Sequence, residues 1–252
     1  MAEPYIVNIV KRVKSGIPGF DELIEGGFPE NTTVLVTGGT GTGKTTFAAQ
    51  FIYKGAEEYG EPGVFVTLEE RAKDLRREMR SFGWDFKKYE EQGLIAIVDG
   101  VSSSVGLPSE ERFALEDKFN IDHFLRYVYR VVKNINAKRL VIDSIPSIAF
   151  RLKEEKEIRE VLLKLNTILL EMGVTTILTT EAPDPTAGRI SRYGIEEYIA
   201  RGVVILDLQE KNIELKRYLL IRKMRETKHS MRKYPFEITN HGIVVYPSGE
   251  IY

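Results

Sequence analysis

The chain predicts an α/β fold: a central, mostly parallel sheet flanked by helices, extended by antiparallel strands on its C-terminal side. Three observations carry this. Apolar, β-branched runs alternate with helix-period segments as far as residue 180. From Val203 onward, strand-like runs follow one another across short turns. The first run feeds a glycine-rich loop that opens a helix, a unit belonging to parallel α/β sheets. No linker or repeat interrupts the 252 residues, so residues 1–252 read as one domain.

Thr33-Val34-Leu35-Val36-Thr37 is the first buried strand, and Thr46 to Tyr53 opens the following helix, with Phe47 and Phe51 on one face. Gly63 to Leu68 is the second strand, followed by a charged helix from about Ala72 to Phe82. Leu94 to Val98 is the third. Residues 100–118, polar and rich in Gly and Ser, read as a mobile loop. Ile121, Phe124, Leu125, Val128 and Val132 recur at helical spacing, and Leu140 to Asp143 forms the fourth strand. Ile158, Val161, Leu162, Leu165, Ile168, Leu169 and Met172 make an apolar helical stripe, and Thr175 to Thr180 is the fifth strand. Val203–Leu208, Arg217–Ile221 and Gly242–Tyr246 supply the antiparallel extension.

Function is most legible at Gly38 to Thr45, GGTGTGKT, which fits GxxxxGK(S/T). Gly39, Gly41 and Gly43 let the backbone curl so that successive amides, those of Thr40 and Thr42 among them, point at one phosphate group. The helix beginning near Thr46 adds its positive dipole end. Lys44 is then placed for the β- and γ-phosphates, and the Thr45 hydroxyl for a magnesium ion.

Acids at strand tips extend the site. Asp143 ends an apolar strand, where a carboxylate can hold the water shell of Mg2+. Glu69 and Glu70 follow the second strand and can orient and polarise an attacking water, and Glu181 is a weaker candidate at the fifth strand's end. Lys223-Met224-Arg225-Glu226-Thr227-Lys228-His229 concentrates cations on a strand entering a turn, and alternation puts Lys223, Arg225 and Thr227 on one face. Such a face suits charge developing on a transferring phosphoryl group, although a solvated basic strand has the same periodicity.

Bulk properties exclude other chemistries. With no cysteine, there are no disulfides, thiolate metal sites or cysteine nucleophile. A net charge of −1 advertises no basic surface for nucleic acid. The N-terminal residues lack the apolar core of a signal peptide and no run reaches transmembrane length, so a cytoplasmic protein without membrane contact is the expectation.

These pieces together resemble the RecA-like P-loop NTPase core, and more narrowly the KaiC family of ATPases and their archaeal relatives. The resemblance rests on Ser15 to Leu23 with Gly26-Gly27 and Pro29, FVTLEE (65–70), RSFGWD (80–85), VIDS (141–144), TTE (179–181), KMRETKH (223–229) and YPFEITNHGIVVYP (234–247). It implies an Mg2+-dependent ATPase binding ATP or ADP, a homo-hexameric ring with nucleotide between subunits, and an unknown protein client. In such a ring Lys223 and Arg225 would sense the γ-phosphate of the neighbour's nucleotide. Met224, Thr227 and His229 would line it, and Ser81 would lie near the base. Glu69 and Glu70 would activate water, with Thr45 and an acid, Glu69 or Asp143, serving magnesium. One such domain rather than a tandem pair, and no counterpart of the autophosphorylated Ser-Thr pair, argue against clock function and autokinase activity. The alternative is a RecA- or helicase-like DNA-dependent ATPase using the loop Ala182 to Arg192. It is not favoured, because the aromatic-basic interleaving of a strand-binding groove is missing.

Overall fold

The structure is a computed structural model and describes residues 10–102, 109, 111–115, 120–150, 152, 154–183, 188–211 and 213–249. Six strands form the parallel part of a nine-stranded sheet: β3 (Thr33–Gly38), β4 (Gly63–Thr67), β5 (Ile95–Asp99), β6 (Arg139–Asp143), β7 (Thr175–Glu181) and β8 (Gly202–Lys211). β9 (Glu214–Met224), β10 (Lys233–Thr239) and β11 (Gly242–Val245) extend it antiparallel beyond β8. The spatial order is β11-β10-β9-β8-β3-β7-β6-β4-β5. β1 (Arg12–Val13) and β2 (Phe28–Pro29) make a separate two-stranded sheet. Five of the six parallel strands are buried at nearly every residue, which explains their uninterrupted apolar character.

Two apolar layers cover the sheet. On one face lies α1 (Lys44–Tyr59), with the β1–β2 unit, α2 (Ala72–Met79) and α3 (Phe86–Glu91) around it. Phe20 and Phe28, from the N-terminal unit, meet Phe47 and Phe51 of α1 edge-on, with ring centroids 5.3 and 5.7 Å apart. The other face is covered by α4 (Ile121–Asn134), α5 (Ile145–Ala149), α6 (Glu155–Glu171) and α7 (Glu196–Ile199). The Asn120 side chain caps α4 by accepting from the amides of Asp122 and His123.

The expected alternation of strands and helices is present, with differences in detail. α3, α5 and β10 carry no strong local pattern. Each is short or half-polar, and packing rather than periodicity orders it. β9 stops at Met224, and Glu226 turns the chain with a φ of 58°, so strand alternation does not extend to Arg225 and Thr227. In the loop 100–118, residues 103–108, 110 and 116–118 lie outside the described residues. Its residues 111–115 are tied to the sheet. Ala114 bridges Asp99 at the β5 edge, and Arg76 gives both Glu90 and Glu111 two hydrogen bonds each.

Candidate nucleotide-binding site

The loop after β3 is shaped by two kinds of glycine. Gly38 has no room for a side chain: a Cβ there would lie 2.2 Å from the Leu206 carbonyl oxygen of β8. Gly41 and Gly43 adopt φ of 76° and 102°, conformations that favour glycine. Gly39 is not left-handed, so the curl expected of three glycines is made by two. Thr42 is buried and donates to the Gly39 carbonyl at 2.8 Å. The loop thereby closes on itself and delivers the chain into α1.

A cleft of about 280 Å³ opens above it, lined by Thr40, Gly41, Gly43, Lys44, Thr45, Thr46, Glu69, Asp143, Ser144 and Glu181. Lys44 Nζ rests on the carbonyls of Gly38 and Gly39 at 3.0 and 2.9 Å. Burial lowers its pKa, against the pull of Asp143, Glu181 and Glu69. Asp143 is buried at the tip of β6, with β7 between it and β3. It accepts from Thr45 Oγ1 at 2.8 Å and from Thr179 Oγ1. Burial pushes its carboxyl above the usual range despite these two bonds.

The two glutamates separate. Glu69 lines the cleft, accepting from Ser144 Oγ and, at 3.4 Å, from Ser147 Oγ. Glu70 stands back from it, half-buried, its backbone carbonyl accepting from Thr67 Oγ1 at 2.5 Å. Burial first, then the neighbouring carboxylates of Glu78, Asp143, Asp74 and Glu69, raise Glu70 to about 7, a poise suited to taking a proton near neutral pH. Glu181 pairs with Arg192 at 2.9 Å. Residues 184–187 of the loop 182–192 lie outside the described residues.

The 223–229 segment does not line this cleft. Lys223 pairs in register with Val203, which pairs with Leu35, three residues before Gly38. At about 3.3 Å per residue, that puts it roughly 10 Å down the sheet from the loop's start and two strands across. Val203 belongs to the apolar layer opposite α1. The Lys223 ammonium donates to the carbonyls of Ala200 at 2.6 Å, Glu197 at 3.2 Å and Tyr198 at 3.5 Å, around the end of α7. Burial and then Arg225 and Arg201 lower its pKa. Met224 is buried, against Gly202. Arg225 is exposed. Thr227 Oγ1 accepts from Arg12, and His229 Nδ1 lies 3.2 Å from the Ser230 carbonyl oxygen. Ser81, exposed, donates to the Glu78 carbonyl and is not among the cleft-lining residues.

Sequence reasoning missed Arg217 of β9. Its Nη2 donates to the Gly41 carbonyl at 3.2 Å, and its buried Nε has no hydrogen-bond partner. It borders a second cleft of about 460 Å³, where β9 and β10 splay apart, lined also by Phe236, Ile238 and Thr239. Ile238 packs against Gly43, so this cleft adjoins the loop. No local signal singles out Arg217, because strand pairing alone brings it there.

A parallel sheet with a glycine loop on a helix N-terminus, and a buried aspartate bonded to the loop's threonine, defines a P-loop NTPase of RecA-like architecture. Within that class, the sequence model of the KaiC ATPase family matches residues 13–250, and the chain belongs to that family. It is 42% identical over 240 residues to a UPF0273 protein of Pyrococcus furiosus, covering 95% of each. It is 37% identical to the circadian clock oscillator protein KaiC of Parathermosynechococcus lividus, over 95% of this chain and 43% of that protein. The solved structure of a KaiC-like protein from Pyrococcus horikoshii is 78% identical, with a TM-score of 0.83, and the match covers 94% of this chain and all of that one. Among the described residues, no helix is long and apolar enough to cross a membrane.

Proposed function

We propose that this chain is an Mg2+-dependent ATPase that works as a homo-hexameric ring with nucleotide between subunits, and that its nucleotide state regulates a protein client. The observation that carries the shared site is the separation of two halves of one chemistry. The loop, its metal threonine and its acids share one end of the sheet, while Lys223 and Arg225 lie toward the other end. A neighbour's copy of that segment is the natural complement.

The donor set fits both ligands. Nothing lies within 4 Å of the Cβ position at Gly39 or Gly41, leaving backbone open to a phosphate group. Thr45 and Asp143, with Glu69 nearby, offer the hydroxyl and carboxylate donors that magnesium takes in company with phosphates and water. When bound, magnesium neutralises phosphate charge and polarises the γ-phosphoryl group.

The protein's own groups do the rest. The loop amides and Lys44 bind and orient the phosphates. Glu70, assisted by Glu69, receives the proton of the attacking water. Arg225 and Lys223 of the adjoining subunit stabilise charge on the transferred phosphoryl. Arg217, Ile238 and Thr239 border a space next to the loop that suits the ribose and base.

Mixing subunits tests the shared site. Arg225→Ala and Glu70→Gln proteins, each strongly impaired alone, should regain part of their ATPase activity in mixed assemblies of hexamer mass. No recovery at any ratio, with mixed assembly verified, would overturn it. Strong stimulation by single-stranded DNA would point instead to a DNA motor.

A further inference from the structure

The 223–229 segment ends in a side-chain clamp whose other half comes from the start of the chain. Arg12 on β1, only 15% exposed, is its centre. Its guanidinium donates to Thr227 Oγ1, to the Glu226 carbonyl at 2.8 Å and to Glu25 Oε2 at 2.8 Å. The same Glu25 oxygen accepts from the Lys228 amide at 3.1 Å. Thr227, so held, donates onward to the Arg225 carbonyl at 3.2 Å. Arg201 adds an ion pair to Glu226 at 2.6 Å, and its carbonyl accepts from the Arg225 amide at 3.0 Å. Every backbone unit from Arg225 to Lys228 is therefore engaged directly or through its side chain.

The Arg225 guanidinium stands apart. Among the described residues it has no hydrogen bond or ion pair. A surface turn with a left-handed residue at Glu226 would ordinarily sample many conformations. Here two hydrogen bonds from Arg12 fall on the Glu226 carbonyl and on Thr227, and the third reaches Glu25, which holds the Lys228 amide, leaving Arg225 presented outward. The clamp's base is rigid: β1 pairs with β2, and Phe28 of β2 packs on Phe51 of α1.

We propose that Arg12 and Glu25 are positioning residues for the phosphate-sensing segment, fixing the 225–228 turn so that Arg225 enters the neighbouring subunit's cleft already oriented. This rests on the shared-site reading above. Orientation fixed before assembly saves the ordering entropy that a free turn would lose on contact.

The test uses direction. In a mixed assembly, the Glu70→Gln subunit supplies an intact 223–229 segment and the Arg225→Ala subunit supplies the working cleft. Arg12→Ala placed in the Glu70→Gln subunit should cut the recovered turnover about tenfold, what one hydrogen bond to a charged group is worth. Placed in the Arg225→Ala subunit, whose own segment is already silent, it should change the recovered turnover less than twofold. Arg12→Lys in the first position should restore part of the loss. Equal effects in both placements, or none in either, overturn the positioning role. Failure of the two unmodified parents to recover activity overturns the shared site instead.

A nucleotide-free readout stands beside it. Hydrogen exchange at the Lys228 amide should quicken about tenfold in Arg12→Ala and in Glu25→Ala, with α1 unchanged. Unchanged protection at Lys228 in both variants overturns the clamp.

Discussion

The two lysines of the proposed reaction sit in opposite electrostatic settings. Both have lowered pKa values, and burial is the leading cause for each. At Lys44 three carboxylates, Asp143, Glu181 and Glu69, oppose that shift. At Lys223, Arg225 and Arg201 deepen it, and only Glu197 opposes them. Lys44 belongs to an end of the sheet already supplied with counter-charge, donors and the hydrogen-bonded pair Thr45–Asp143. Lys223 belongs to an end where its ammonium rests on backbone carbonyls, while the nearby carboxylates of Glu226 and Glu25 pair with Arg201 and Arg12. One end gathers the glycine loop, Lys44 and three carboxylates around a cleft, and the other holds the cations that we propose meet a neighbour's phosphate.

The widest separation between the ends should come from Arg225→Ala. Turnover should fall by about 10³-fold, in the range for a trans-acting arginine. Nucleotide affinity, read by titration with a fluorescent analogue, should change only a few-fold. An equal fall in affinity would break the comparison, because Arg225 would then be part of the cradle.

Glu70→Gln should lower turnover about 10²-fold, the usual reach of a general base, and leave affinity intact. If the loss appeared in Glu69→Gln instead, the base would be the cleft-lining glutamate rather than the one raised to about 7.

Gly38→Ala tests the cradle as packing. With 2.2 Å between a new Cβ and the Leu206 carbonyl oxygen, the strands must part, at a cost of about 2 kcal/mol in chemical denaturation. Lys223→Met is the smallest effect. It should cost about 1 kcal/mol, since it strips the α7 carbonyls of a charged donor. A neutral result there would mean that water replaces Lys223 at no loss, freeing it for a neighbour's phosphate.

Legibility in the sequence followed the range of the interaction. The phosphate loop spans eight consecutive residues, so its glycines, Lys44 and Thr45 could be read directly. Asp143 was readable only together with the loop, since a carboxylate ending an apolar strand equally suits a turn or a helix cap; the fold brings Thr45 to it at 2.8 Å. Glu69 and Glu70 read as an equivalent pair, and the chain's turn after Thr67 sends them to different surroundings. The face expected to join Lys223, Arg225 and Thr227 ended with β9 at Met224. Arg217 was invisible, since its role depends on where β10 diverges from β9.

The sequence by itself determined the α/β order, the phosphate loop and the acids at the strand tips. Each depends on a local period or on contiguous residues, and these physical preferences act along the chain. Only the tertiary structure decided which end of the sheet each charge occupies, that Met224 is core, and that Arg12 grips Thr227 across 215 residues. Strand order and register set those relations. They arise from burying two faces of one sheet at once, a constraint that no single segment contains.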